Sequence, residues 1–144
     1  MAFLSDDISI NTMIGPGAMI SGDLRIAGFI RIDGDINGNL ETTGRVIIGE
    51  KARIKGNITA QTAVIGGIIE GDVVAPDGVE LFSTASVLGD IVTRFFKAEE
   101  DSLFQGQCIA ISDEAKYTEA VQNWQNERAI RQKTILTSGM LDDF

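Results

Sequence analysis

One short pattern recurs six times along this chain: apolar, any residue, Gly, polar, apolar. It reads Ile20-Ser21-Gly22-Asp23-Leu24, Ile36-Asn37-Gly38-Asn39-Leu40, Ile54-Lys55-Gly56-Asn57-Ile58, Ile69-Glu70-Gly71-Asp72-Val73, Val87-Leu88-Gly89-Asp90-Ile91 and Phe104-Gln105-Gly106-Gln107-Cys108. The steps between the glycines are 16, 18, 15, 18 and 17 residues. A period of this length, built from strand-forming residues, is the signature of a β-solenoid with one coil per repeat. A solenoid has two open ends, and what those ends do becomes the central functional question.

Within each repeat the hydrophobic period is two. In Ile54-Lys55-Gly56-Asn57-Ile58, residues 54, 56 and 58 point one way and 55 and 57 the other. The apolar residues and the glycine are expected inside, the charged residues outside. An inward glycine suits a corner where the cross-section leaves no room for a side chain. Between the glycine motifs lie Val46-Ile47-Ile48, Ala63-Val64-Ile65 and Val79-Glu80-Leu81-Phe82, also rich in β-branched and apolar residues. Three short strands per coil give an all-β, three-sided β-helix. With coils about 4.8 Å apart, six of them make a rod of about 30 Å.

The chain divides by composition into a lead-in at 1–11, the repeats at 12–111 and a tail at 112–144, where glycine nearly vanishes. The tail predicts a helix from Ser112 to about Lys133, with Ser112 as N-cap and Asp113 and Glu114 in the first turn. Tyr117, Ala120, Val121, Trp124 and Ile130 make a partial apolar stripe. The stripe reads first as packing against the solenoid or its end, with Trp124 as anchor. The alternative is a partner-binding helix centred on Tyr117, Val121 and Trp124.

Net charge is −9 with no histidine, so the chain repels nucleic-acid phosphates and a nucleic-acid partner is not expected. Absence of histidine also removes the usual base of hexapeptide-repeat acyltransferases and the zinc ligands of solenoid carbonic anhydrases. The six-residue spacing of Ile14, Ile20, Ile26 and Ile32, which flatters that class, breaks down after Ile32. The column Asp23, Asn39, Asn57, Asp72, Asp90 and Gln107 reads as turn-favouring residues rather than a cation site. There is no P-loop and no Ser/His or Cys/His pair. The chain is therefore expected to have no catalytic residue, no metal and no cofactor. Cys108, the single cysteine, reads as a small core residue, and a reducing, cytoplasmic compartment is the simpler inference. No apolar run reaches about 18 residues, and the N-terminus lacks the pattern of a signal peptide. Phe3 and Leu4 make a short apolar tip that suits either a frayed terminus or a weak membrane contact.

The stack ends carry the remaining signal. Coil-to-coil hydrogen bonds run along the rod, so both terminal coils present unpaired strand edges. The N-terminal end offers Ile10, Met13 and Ile14 with no helix ahead of them, and the C-terminal end offers Phe95, Phe96, Leu103 and Phe104. Apolar, aromatic ends favour stacking of rod on rod, and stacking at both ends gives an open filament.

Thr12-Met13-Ile14-Gly15-Pro16-Gly17-Ala18-Met19-Ile20-Ser21-Gly22-Asp23-Leu24, the Gly-Asn-Ile and Gly-Asp-Val coil motifs, and the closing Leu103-Phe104-Gln105-Gly106 resemble the bactofilin family over residues 12–111. The resemblance implies a right-handed, three-sided β-helix that polymerises end to end without nucleotide into non-polar filaments. It implies a cytoskeletal scaffold for cell-wall enzymes and cell shape, often peripheral on the inner face of the cytoplasmic membrane. It also places Phe104 at the family's closing aromatic, a polymer contact. The proline-free, helical tail departs from the family's usual proline-rich flanks. That departure keeps a second reading open: a closed dimer recruiting a partner through its C-terminal helix.

Overall fold

β-Branched residues at every second position, broken by glycine or polar corners, give strands too short to pair within their own coil. They pair instead with the next coil. The computed structural model describes residues 11–142, with side chains through Arg131. The chain divides into two compact units, with the division between Ala110 and Ile111.

The first unit is a six-turn, three-sided parallel β-solenoid. Its first sheet stacks β1 (Thr12–Ile14), β4 (Ile30–Ile32), β7 (Arg45–Ile48), β10 (Thr62–Ile65), β13 (Gly78–Leu81) and β16 (Phe96–Ala98) in that order. The second stacks β2 (Met19–Ser21), β5 (Asp35–Asn37), β8 (Arg53–Lys55), β11 (Ile68–Glu70), β14 (Ser86–Leu88) and β17 (Leu103–Gln105). The third stacks β3 (Leu24–Ile26), β6 (Leu40–Thr42), β9 (Ile58–Thr59), β12 (Val73–Ala75), β15 (Ile91–Thr93) and β18 (Cys108–Ala110).

The register aligns like with like. Ile20, Ile36, Ile54, Ile69, Val87 and Phe104 form one inward column. Leu24, Leu40, Ile58, Val73, Ile91 and Cys108 form another. Ile30, Ile54, Ile58, Ile65 and Ile69 are fully buried, and each contributes about 1.5–3 kcal/mol over its exposed state.

The corner glycines serve a different purpose from the one expected. Gly38, Gly56, Gly71, Gly89 and Gly106 have φ between +152° and +157°. A Cβ on any of them would run along the rod into the backbone carbonyl of the equivalent glycine one coil earlier. The constraint is axial, coil against coil, rather than crowding within the cross-section.

The polar residue after each glycine is also more than a turn former. Asp23 Oδ1 accepts from the Asn39 N–H (2.9 Å), Asn39 Oδ1 from Asn57 N–H (2.9 Å) and Asn57 Oδ1 from Asp72 N–H (3.0 Å). Asp72 Oδ1 then accepts from Asp90 N–H (2.8 Å), and Asp90 Oδ1 from Gln107 N–H (3.0 Å). This ladder satisfies corner amides that no strand can reach. We therefore expect Asn57→Ala to cost about 1–3 kcal/mol in urea unfolding, because the Asp72 N–H loses its acceptor. Gln107→Ala, in the last coil, removes no acceptor used by a later coil and is expected to be near neutral.

The second unit holds α1 (Glu114–Asp142), which runs past the expected end at Lys133. Its N-cap is Asp113 rather than Ser112: Asp113 Oδ1 accepts from the Lys116 N–H at 2.9 Å.

Candidate functional site: the ends of the coil stack

The last coil breaks the column pattern that holds the other five. Phe96 stands over Val79, and Phe104 over Val87, where earlier coils carry aliphatic or small residues. The compensating positions shrink. Ala98 follows Leu81, Cys108 follows Ile91, and Ala110 follows Thr93. Two rings thus fill the room that three small side chains vacate. Phe96 and Phe104 lie 6.2 Å apart between centroids, tilted by 48°, a favourable aromatic geometry. Both are half-buried and pack on the core below.

Both rings lie in the terminal coil, so no later coil of the described solenoid covers them. Ala98, Cys108 and Ala110 are exposed beside the rings, so the end is a broad apolar surface around an aromatic pair. The Cys108 sulfur has apolar neighbours enough to be partly desolvated, which raises its pKa above the ordinary thiol value. It is neutral at pH 7.

The backbone of this end is equally unfinished. β16, β17 and β18 are each the terminal strand of their sheet, as are β1, β2 and β3 at the opposite end. Among the described residues, each carries a row of hydrogen-bonding groups without a strand neighbour on its outer side. At the N-terminal end, Ile14 is buried, while Ile20, Leu24 and Ile26 are half-buried against the core.

The expected interface residues separate into two sets. Phe96 and Phe104 come together at the C-terminal end, and Ile14 faces inward in the first coil. Phe95 points outward at a corner, 53 % exposed, with the Arg94 guanidinium 5.4 Å from its ring centre. Leu103 and Met13 also point outward, on the second and first sheets, 55 % and 61 % exposed. Ile10, Phe3 and Leu4 lie outside the described residues. Sequence reasoning did not single out Ala98 and Ala110. For Ala98 the signal was present in its column, where Ile14, Ile32, Ile48, Ile65 and Leu81 give way to alanine in the last coil; the column of Ala110 already holds Ala75 and Thr93 and gave none.

On α1, Tyr117 and Trp124 are buried and Val121 half-buried, and the Arg128 guanidinium sits 5.4 Å from the Trp124 ring centre. Little of the expected partner-binding stripe is open. Among the described residues, no helix is long and apolar enough to cross a membrane. Nor does any group of three or more Cys, Asp or Glu side chains stand ready to hold a metal.

Among the described residues, a parallel solenoid whose three sheets end in strands without an outer strand neighbour has the edges by which β-helices self-associate. Residues 12–109 match the model of the bactofilin family, described as polymer-forming cytoskeletal, and the chain belongs to that family. It is 30 % identical to bactofilin BacP of Myxococcus xanthus over 81 residues, 56 % of this chain and 34 % of BacP. It is 27 % identical to BacO of the same organism over 96 residues, 67 % of this chain and 76 % of BacO. The match thus spans about a third of BacP and three quarters of BacO.

Among solved structures, the fold is similar to bactofilin from Thermus thermophilus in a cryo-EM reconstruction of double helical filaments. The TM-score is 0.63 at 28 % identity, covering 69 % of this chain and 98 % of that one. It is also similar to the crystal structure of a phenylalanine-to-arginine mutant of the Thermus protein. There the TM-score is 0.59 at 28 % identity, covering 63 % of this chain and all of the other (100 %).

Proposed function

We propose that this protein is a cytoskeletal scaffold that polymerises end to end without nucleotide. The observation that supports this most is the last coil, where Phe96 and Phe104 form an aromatic surface bounded by unpaired strand edges. Ile20, Leu24 and Ile26, half-buried in the first coil, make the corresponding aliphatic surface. The sequence carries no phosphate-binding loop, so burial of these surfaces is the driving force for assembly. The filament in turn organises cell-wall or cell-shape factors, lying peripherally on the inner face of the cytoplasmic membrane. Membership of a polymer-forming cytoskeletal family and likeness to a filament-forming relative support the polymer; the placement at the wall and membrane rests on the family resemblance.

Negative-stain electron microscopy of the purified protein without nucleotide tests the polymer. We expect long thin filaments; small uniform particles would instead favour the closed dimer. Cys108 gives a second readout, because it sits on the end surface. Maleimide labelling of Cys108 should fall at least tenfold above the concentration at which filaments form. Equal labelling of monomer and filament would place the contact elsewhere.

A further inference from the structure

The outer face of the first sheet opens into a groove at the fifth coil. Arg45, Thr62 and Gly78 stack in register on three successive coils. Phe95 comes next in this column, since its neighbour Phe96 pairs with Val79. Gly78 leaves the column without a side chain. A Cβ there would meet, within 4 Å, only the Phe95 carbonyl oxygen, at 3.6 Å. That is ordinary contact rather than the tight approach found at Gly56, so the gap is open space. It widens into a groove of about 270 Å³ between Arg45, Phe95 and Lys97, lined also by Thr62 and Val64. A cavity of about 150 Å³ already admits a benzene ring, so a large apolar side chain fits.

The groove is basic on a protein whose net charge is −9. Arg45 and Lys97 line it, and the Arg94 guanidinium lies beside Phe95. Glu80 is the one acid among its lining residues, 3.9 Å from the Lys97 ammonium. The matching ligand is a short segment that carries a large apolar side chain and two acids. The chain itself holds one in Phe3-Leu4-Ser5-Asp6-Asp7. It also leads from the right place. Asn11 heads the column of the groove: its N–H donates to the Phe29 carbonyl at 2.8 Å, and Phe29 stands one coil before Arg45. From Asn11, Gly78 is four coil steps away, about 19 Å. Leu4 precedes Asn11 by seven residues, which span at most about 25 Å. Asp6 and Asp7 reach about 14–18 Å, between Arg45 at about 10 Å and the groove.

We propose that the groove over Gly78 is the docking site of this chain's own residues 3–7, with Leu4 seated beside Phe95 and the Asp6-Asp7 pair facing Arg45. One leucine and two exposed charge pairs are too little to hold a free peptide. The segment is tethered at Asn11, however, so its effective concentration at the groove is high and a weak site is occupied. A seated Leu4 covers the gap at Gly78 and is itself withheld from a membrane.

Disulfide trapping in the full chain tests this, with Cys108→Ser in every sample so that only introduced thiols react. Leu4→Cys is paired with Thr62→Cys, which adjoins Gly78. The control pairs Leu4→Cys with Thr59→Cys, three residues earlier on the third sheet, exposed and within the same reach. Under mild oxidation the first pair should close an intrachain bond at least tenfold faster than the second. Arg45→Glu should slow that closure about two- to fivefold, the scale of an exposed ion pair. Asp6→Lys with Asp7→Lys, added to Arg45→Glu, should restore it. Mass spectrometry separates the intrachain bond from a covalent dimer. Equal closure of the two pairs, no closure of either, or closure indifferent to Arg45→Glu would each overturn the proposal. So would failure of the restored charge pair, or a covalent dimer in place of the intrachain bond, which would give the groove to a second copy.

Discussion

Phe104→Arg is expected to leave a folded, β-rich monomer that forms no filaments at concentrations where the wild type polymerises fully. Phe104 ends an inward column and packs against Phe96 at the exposed end of the stack. In the monomer an arginine there can turn its guanidinium outward while its stem covers part of the core. The fold should therefore lose about 1–2 kcal/mol, the partial loss of one half-buried ring. In the filament that escape is closed. The guanidinium would be trapped without a partner in a dry contact, which costs about 3–5 kcal/mol. Association then weakens by roughly 10²–10⁴-fold at each affected joint. Because an open polymer needs every joint, sedimentation should show a single slow species with an unchanged β-type circular dichroism spectrum. Filaments of normal length in Phe104→Arg would move the contact away from this end. Phe95→Arg makes an informative comparison: Phe95 points outward beside Arg94, so the same substitution there should impair assembly far less.

The architecture was legible because a solenoid writes its period directly into the sequence. The step of 15–18 residues between glycines becomes the coil, and the alternation around Ile54 and Ile69 becomes the buried and exposed faces. What could not be read is what depends on the direction along the rod. Parity assigned Gly56 to the interior, but its missing side chain is needed because the Gly38 carbonyl of the preceding coil lies there. Asn39 and Asn57 look like turn residues in one repeat. Only stacking reveals that each accepts the amide of the following coil.

The same limit applied to the candidate site. Phe104 was recognisable because it interrupts an otherwise aliphatic column at the final repeat. Phe95 and Leu103 looked equivalent to it, since apolar composition near a chain end does not reveal side-chain direction. A single-residue difference in strand phase puts Phe96 inside and Phe95 outside. Leu103 likewise points outward on the second sheet rather than along the rod. The helix start was displaced by one residue because Ser112 and Asp113 are both competent caps, and only the hydrogen bond to Lys116 separates them.

Gly56→Ala is the substitution expected to damage the fold itself most severely. Gly56 sits in the third coil with φ +152°, a conformation that an L-residue adopts only with strain of about 1–3 kcal/mol. The added methyl would also meet the Gly38 carbonyl carbon and oxygen, both backbone atoms, so no side chain can rotate away. Relief requires separating two coils that are hydrogen-bonded on all three sheets, adding about 1–3 kcal/mol of overpacking. The sum, roughly 2–6 kcal/mol, is a large part of the stability of a domain this size. Gly22→Ala provides the internal control. Gly22 has φ +121°, yet nothing lies within 4 Å of its would-be Cβ, and no described strand stacks before β2. It should cost only the conformational strain, about 1–2 kcal/mol. Urea unfolding in the monomeric Phe104→Arg background separates fold stability from polymer stability. Equal midpoints for the two glycine variants would show that axial contact between coils is not what the corner glycines provide. A much lower midpoint for Gly56→Ala would assign the repeated glycine to the close approach of successive coils.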